Sequence, residues 1–195
     1  MNRAIPTIED EFLVIECQRG NDDAFEELVR RWQPRYRAYA MRVLGSSDQA
    51  IEALQDGWMA IVRNIRKLDD PARYPAWSFR ILHRRCMDII RRSARRRGVE
   101  EKFADGLPRS TNDPVTGSTN HRAIDDDALH EAMNALSPDE RAIMMLHYVE
   151  GLPLRAIADV LEIPQGTVKS RLYHARERMR DALPTPQRNE KEIPT

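Results

Sequence analysis

A short segment near the C-terminus concentrates residues that bind phosphate. Between Lys169 and Arg180 the sequence has five basic residues and one acid, a net charge of +4, although the 195-residue chain is neutral overall. Gly166 and Thr167 stand at the start of the same segment, where backbone N–H groups of a helix can meet a phosphate oxygen. The segment therefore indicates contact with a nucleic acid, and the alternative is an amphipathic helix with a basic solvent face.

A second basic segment strengthens the first interpretation. Residues 80–97 contain eight arginines and one acid, a net charge of +7, and residues 98–131 contain three basic and eight acidic residues, a net charge of −5. Two cationic segments on either side of an acidic one are less expected for ordinary solvated surfaces than for a protein that binds nucleic acid.

Apolar residues recur at helical spacing, and no stretch alternates long enough to predict a strand, so the fold class is all-α. Residues 21–97 predict a first domain of three helices. We expect Pro34 to kink or split the first of them, Asn21–Leu44. In the second helix, which follows Ser46 or Ser47 as N-cap, three apolar residues are assigned to the core: Leu54, Trp58 and Ile61.

Residues 98–124 differ in composition, with many Gly, Pro, Ser and Thr and little apolar periodicity, and they predict a flexible acidic linker. Residues 125–183 predict a second helical domain. It includes a capping box at Ser137–Glu140, in the sequence "SPDE". The tail, residues 184–195, is predicted to be disordered.

The second domain ends in a helix-turn-helix pattern. A short helix over Pro153–Leu161 is followed by a tight turn and a last helix with one apolar stripe, formed by Val168, Leu172, Ala175 and Met179. That stripe directs the basic face of the last helix away from the core, so its N-terminal half can reach base edges in a major groove.

Enzymatic chemistry is not indicated. There is no Gly-rich phosphate loop after a strand, no HExxH motif and no nucleophile elbow, so we expect no catalytic residue, no cofactor and no enzyme activity. His83 and Cys86 are spaced as two metal ligands, but without a second pair we expect no metal, and Cys86 is assigned to helix packing. Two cysteines and no long apolar segment predict a cytoplasmic protein without membrane insertion.

Several segments resemble a known family. "ALSPDERAIMMLHYVEGLPLRAIADVLEIPQGTVKSRLYHARERMR" closely resembles domain four of bacterial RNA polymerase sigma factors of the extracytoplasmic-function (ECF) group. "DAFEELVRRWQPRYRAYAMRVLG", "AIEALQDGWMAIVRN" and "YPAWSFRILHRRCMDIIRR" resemble domain two, in that order. The resemblance implies that the chain binds core RNA polymerase and directs it to a promoter. Domain four would read the upstream (minus-thirty-five) element, and domain two would read and melt the minus-ten element.

The resemblance also implies site residues in domain four. Lys169, Ser170, Tyr173 and His174 occupy the positions that contact the upstream element, and His174 stands where arginine is common, which suggests a weaker or pH-dependent contact. The full set of residues expected to contact the upstream element is Gly166, Thr167, Lys169, Ser170, Arg171, Tyr173, His174 and Arg176.

In domain two the resemblance implies a second DNA-binding set: Tyr74, Trp77, Arg80, Arg84, Asp88, Arg91, Arg92 and Arg95. Arg84 stands where the family often has an asparagine that lines a pocket for an unstacked base. Asp88 is four residues from both Arg84 and Arg92 and is expected to orient them. Trp77 is more typical of a core residue, and for Tyr74 core packing and base stacking are equally expected.

The helix Asp48–Ile65 resembles the segment that docks on the β′ clamp of the polymerase, with an outer face formed by Glu52, Gln55, Asp56 and Met59. The resemblance further implies contact with the β flap and control by an anti-sigma factor. The alternative is a stand-alone helix-turn-helix regulator whose N-terminal half binds a ligand or dimerises, but such a module does not need the cationic segment 80–97. The role of residues 1–20 stays open.

Overall fold

The computed structural model of the chain describes residues 8–103 and 123–183, and within these residues every regular element is helical. The α-helices of these two described ranges are α1 (Ile8–Arg19), α2 (Asp22–Leu44), α3 (Ser47–Asn64), α4 (Tyr74–Phe103), α5 (Ala123–Asn134), α6 (Pro138–Met144), α7 (Leu154–Leu161) and α8 (Gln165–Ala182). The prediction of an all-α fold is confirmed. No helix among the described residues has the length and apolar character needed to cross a membrane.

The core of the first domain is built around aromatic residues of α2 and α4. Trp32, Tyr36, Tyr74 and Phe79 are all essentially inaccessible to solvent. The ring of Trp32 meets those of Tyr74 and Phe79 edge to face, with centroids 5.1 and 6.2 Å apart. Such geometry stabilises a core beyond the area that it buries.

Helix α2 runs through Pro34 without being split, so that part of the expectation is wrong. Proline removes one intrahelical hydrogen bond. Buried residues on both sides of it, Trp32 and Tyr36, pack into the core and hold the two halves of α2 in one helix.

Helix α1 belongs to the first domain, which the sequence analysis began at residue 21. Val14 of α1 is fully buried, and Trp32 Nε1 donates a hydrogen bond of 3.3 Å to the buried Asp10 carboxylate. Gln18 Nε2 donates to the backbone carbonyls of Ile65 and Leu68, at 3.0 and 2.7 Å. These contacts fix α1 against α2 and against the turn that follows α3.

Helix α4 is longer than predicted, because it continues to Phe103 and takes in the first six residues of the predicted linker. No proline interrupts the chain between Pro75 and Pro108, and "EEK" at 100–102 consists of good helix formers. The rest of the predicted linker, except its last two residues, and the predicted tail lie outside the described residues.

The second domain follows its local sequence signals closely. Ser137 and Glu140 form the predicted capping box: Ser137 Oγ accepts from the Glu140 N–H at 3.3 Å, and Glu140 Oε2 accepts from the Ser137 N–H at 2.9 Å. The predicted stripe of α8 is entirely buried, which confirms the facing of that helix. After α6 the chain makes one π-helical turn, Met145–Val149, which ends at Glu150.

A buried histidine makes the first domain sensitive to pH. The Nδ1 atom of His83 lies 2.9 Å from the Tyr39 hydroxyl, and both side chains are buried. Burial lowers the pKa of His83 from 6.5 to about 4, although the nearby carboxylates of Asp139 and Glu162 act to raise it. The unfolded chain therefore binds this proton more readily than the folded one. The stability contributed by neutral His83 is present above pH 6.5 and is lost as the pH falls toward 4.

We expect the free energy of unfolding to fall by about 2 kcal/mol, through His83 alone, as the pH is lowered from about 7.5 to about 5. The measurement is urea unfolding at both pH values for the parent chain and for His83→Gln, whose amide can still bond to Tyr39 but does not titrate. A pH dependence of equal size in the two proteins would contradict the assignment.

Candidate nucleic-acid interface

The helix-turn-helix predicted from the sequence is present. Helix α7 ends at Leu161, the next residue, Glu162, takes the left-handed conformation with φ 56°, and the chain then turns through Ile163 and Pro164 into α8. No side chain caps the N-terminus of α8, and a Cβ added at Gly166 would meet nothing within 4 Å. The first turn of α8 therefore presents open backbone N–H groups and space for a close approach of phosphate.

One face of α8 has the composition of a DNA-reading surface. Lys169, Ser170, Tyr173 and His174 are all exposed, on the side opposite the buried stripe. The rings of Tyr173 and His174 lie 5.5 Å apart, edge to face. A cation, a hydroxyl and two rings side by side can contact base edges and the thymine methyl group in a major groove.

The arginines of α8 are more engaged within the domain than the sequence suggests. Arg171 Nη1 lies 2.7 Å from Asp139 Oδ2, and Arg178 Nη1 lies 3.0 Å from Glu140 Oε2. Both pairs join α8 to the start of α6, so Arg171 helps to position α8, and its contact with DNA stays a prediction. Arg176 lies over the ring of Tyr148, with Cζ 5.5 Å from its centroid.

The arginine face of α4 is exposed, but its ion pairs differ from those predicted. Asp88 pairs with Arg91 at 3.0 Å and lies 4.0 Å from Arg85, one helical turn away on either side. The expected pairing of Asp88 with Arg84 and Arg92 is therefore wrong. Those two arginines pair with acids elsewhere in the fold: Arg92 with Glu52 of α3 at 2.9 Å, and Arg84 with Glu162 in the turn after α7. An open groove beside α3 is lined by Asp56, Arg85, Asp88, Arg91, Arg92 and Arg95.

Tyr74 does not lie at this surface. It is fully buried, and its hydroxyl accepts a hydrogen bond from the Tyr36 hydroxyl at 3.2 Å, so the structure corrects its assignment to the DNA-binding set. Trp77 is partly buried, 6.1 Å from Tyr74 between ring centroids, as expected for a residue at the edge of the core. Arg80 is half-buried, one turn before Arg84.

The outer face of α3 combines the predicted polar residues with apolar ones. Gln55 and Asp56 are exposed, and Met59 is about half exposed. Ile51 and Val62, which the sequence analysis did not place at this surface, are exposed to the same extent as Met59. Burial of such exposed apolar side chains against a protein partner is more favourable than their contact with water. The sequence already placed Ile51 on this face, because Ile51, Gln55 and Met59 recur at intervals of four.

The ion pairs between the two domains could not be read from the sequence. Glu150 is buried, and its Oε2 atom lies 2.6 Å from Arg35 Nη2, although the residues are 115 positions apart. The pKa of Glu150 is raised by its burial, which the nearby Arg35 guanidinium opposes. The Arg84–Glu162 pair likewise joins the two domains, and it lowers the pKa of Glu162.

Comparison with known proteins gives the family. Residues 28–96 match the family Sigma-70 region 2, and residues 126–179 match the family Sigma-70, region 4. ECF RNA polymerase sigma factor SigL of Mycobacterium tuberculosis is 34% identical over 140 residues, which cover 70% of this chain and 76% of SigL. The chain belongs to the ECF sigma factors.

Two further relatives cover more of this sigma factor. ECF RNA polymerase sigma factor SigE of Mycolicibacterium smegmatis is 29% identical over 162 residues, or 82% of this chain, which spans 62% of the length of SigE. The sigma factor RpoE of Bartonella quintana, solved in complex with the anti-sigma factor NepR, matches with a TM-score of 0.63 and 25% identity. That match covers 81% of this chain and 95% of RpoE.

This membership confirms the function that the resemblance implied. The sigma factor binds core RNA polymerase and directs promoter-specific initiation of transcription, and its family consists of initiation factors rather than catalysts. Both matched regions include the helices that carry the surfaces described above: region 2 covers most of α2, α3 and most of α4, and region 4 covers most of α5, α6, α7 and most of α8.

Proposed function

We propose that three surfaces of this sigma factor divide the work of initiation. The exposed face of α8 reads the upstream element, the arginine face of α4 holds and opens the minus-ten element, and the outer face of α3 docks on the β′ clamp. The observation that carries the proposal is the composition of the α8 face: Lys169, Ser170, Tyr173 and His174 are exposed together, next to an uncapped helix N-terminus.

Opening of the minus-ten element requires no chemistry from this chain. Arg91 and Arg95 are exposed on α4 and are placed to hold backbone phosphates of the separated strand. A protein that binds the open strand more tightly than the duplex shifts the equilibrium toward the open strand by that difference in affinity. The chain acts in this way without catalytic residues, a metal or a cofactor.

The polymerase surface of domain two is the exposed face of α3, where Gln55 and Asp56 lie between Ile51 and Met59. The apolar residues supply area that is buried on binding, and the Asp56 carboxylate and the Gln55 amide fix the position of α3 on a basic partner surface. A second contact, between domain four and the β flap, completes the attachment to core polymerase.

An anti-sigma factor is a further proposed partner. The matched RpoE structure contains the anti-sigma factor NepR, and a second match of the same fold, CnrH, was solved with the cytosolic domain of CnrY. We propose that such a protein covers the polymerase-binding surfaces of this sigma factor and keeps it inactive. This sigma factor would act in the cytoplasm, where polymerase and promoter DNA meet.

Lys169→Ala tests the proposed role of α8. The DNA is a promoter that the parent complex transcribes. We expect the variant, in complex with core polymerase, to bind this promoter with an affinity at least about fivefold lower than the parent complex does, because one charged contact to DNA is lost. If Lys169 contacts a phosphate, the slope of log affinity against log salt also becomes shallower by about 0.9.

The matched control is Arg37→Ala, which removes an exposed cation from α2, on the other domain. It should leave both affinity and salt slope within about twofold of the parent values. If Lys169→Ala and Arg37→Ala bind the promoter with equal affinity, α8 does not contact the upstream element.

A further inference from the structure

Arg176 lies on the same side of α8 as two of the residues proposed to read the upstream element. Lys169, Tyr173, Arg176 and Arg180 follow one another at intervals of four, three and four residues, so they share one side of the helix, and all four are exposed. Arg176 lies two turns after Lys169, roughly 10 Å along the axis at about 1.5 Å per residue. That offset suits a contact with a backbone phosphate at the edge of the groove in which the first turns of α8 would meet the bases.

The partner of Arg176 differs from those of the other arginines of α8. Arg171, Arg178 and Arg180 each pair with an acid. Among the residues that the structure describes, no acid pairs with Arg176; its partner is the phenol of Tyr148, whose hydroxyl accepts a hydrogen bond from Arg176 Nε at 2.5 Å. No described residue accepts a hydrogen bond from its two Nη atoms. The charge and the Nη donors of Arg176 are therefore available to a phosphate.

Tyr148 holds the Arg176 side chain by its ring as well as by its hydroxyl. The Cζ atom of Arg176 lies 5.5 Å from the centroid of the Tyr148 ring, which is a cation–π contact. The ring of His147 packs edge to face against the ring of Tyr148, with centroids 4.8 Å apart. These contacts restrict the rotamers of a long, exposed side chain. An arginine that is already held in one geometry loses less freedom when it binds a phosphate.

The turn that carries Tyr148 is anchored on both sides. Tyr148 lies in the π-helical turn Met145–Val149, where Met145 and Leu146 are buried before it and Glu150 is buried after it. The Glu150 N–H donates to the Met145 carbonyl at 3.0 Å. Tyr148 itself is 51% exposed, so core packing does not explain its side chain. Turns of this kind are rare and often occur at functional sites.

We infer that Tyr148 is a positioning residue for promoter binding, which holds the guanidinium of Arg176 ready for a DNA phosphate beside the upstream element. The inference rests on the proposed function, because it takes the exposed face of α8 as the surface that meets this element. Tyr148 acts through Arg176 and does not read a base. Both residues belong to domain four, so their contact can persist when this domain binds DNA.

The test measures promoter affinity over a range of salt concentrations, for each full chain in complex with core polymerase, on a promoter that the parent complex transcribes. In Arg176→Ala we expect the affinity to fall about tenfold and the slope of log affinity against log salt to become shallower by about 0.9, because one phosphate contact is lost. In Tyr148→Phe, which keeps the ring and loses the hydroxyl, we expect the affinity to fall about threefold with the parent slope. The phosphate contact then still forms, but from a less ordered side chain.

A double-mutant cycle decides whether Tyr148 acts through Arg176. Introduced into Arg176→Ala, Tyr148→Phe should change the affinity by no more than about 1.5-fold, because the group that it positions is absent. The matched control is Val149→Ala, at an equally exposed residue of the same turn, and it should stay within the same limit. If Tyr148→Phe causes the same loss with and without Arg176, Tyr148 acts on its own and the inference is overturned.

Lys169→Ala separates a failure of this inference from a failure of the proposed function. If Lys169→Ala weakens promoter binding while Tyr148→Phe binds like the parent chain, only the positioning role of Tyr148 is lost. If Lys169→Ala and Arg176→Ala both bind like the parent chain, α8 does not contact the upstream element, and the proposed function and the inference built on it fall together.

Discussion

Replacing Gln55 and Asp56 by alanine together should reduce promoter-specific run-off transcription by roughly 30-fold or more while leaving the fold intact. Both residues are exposed at the centre of the outer face of α3, between Ile51 and Met59, and neither contributes to the core. A central interface residue commonly contributes about 1–2 kcal/mol or more to binding, so losing two removes about 2–4 kcal/mol. Each 1.4 kcal/mol corresponds to about tenfold in affinity.

The readout must separate polymerase binding from DNA binding. Affinity of the double variant for core polymerase should fall by the same factor as transcription, measured at a polymerase concentration below the parent dissociation constant. Glu26→Ala, an equally exposed change on α2, should preserve both. Parent-level transcription by the double variant would show that the outer face of α3 is not the clamp-binding surface.

Trp32→Ala should produce a large loss of stability, about 3–5 kcal/mol. Trp32 is 1% exposed, contacts three other aromatic rings, carries the Arg35 guanidinium on its face, and donates to the Asp10 carboxylate. Its removal leaves a cavity at the centre of domain two and takes one donor from a buried acid. Urea unfolding, with fluorescence and circular dichroism compared for coincidence, measures the loss.

Trp77→Ala is the matched control, because it deletes the same side chain where it is only partly buried. It should cost clearly less than Trp32→Ala, since less apolar surface returns to water in the folded state. Equal losses for the two variants would mean that the aromatic cluster around Trp32 is not the centre of the domain.

Much of the helical architecture could be predicted from the sequence, because its signals are local. The stripe of α8 and the capping box at Ser137 depend on residues three or four positions apart, and such spacings define one helix face or one helix end directly. The same locality explains why residues 98–103 were misassigned. Gly98 weakened the helical signal, but the good helix formers after it allow α4 to continue to Phe103.

The candidate sites depended on contacts that a periodic pattern does not contain. For Tyr74 the sequence left core packing and base stacking equally expected, and for Trp77 it favoured the core, but only the packed helices show that Tyr74 is covered and Trp77 is partly open. Likewise the sequence suggested that Arg171 was a free cation and that Arg84 was a partner of Asp88, but each pairs with an acid more than 30 positions away. Long-range ion pairs depend on how the helices are brought together, which the charge pattern alone leaves undetermined.

Every proposed role of this chain in initiation depends on its attachment to core RNA polymerase. The direct measurement mixes the purified chain with core polymerase at low salt, with no other protein present, and follows association by the polarisation of a fluorophore on the chain. We expect saturable binding of one chain per core enzyme, and weaker binding by the Gln55→Ala/Asp56→Ala variant. If polarisation does not change at any polymerase concentration that saturates a known sigma factor in the same assay, the chain does not attach to core polymerase as proposed.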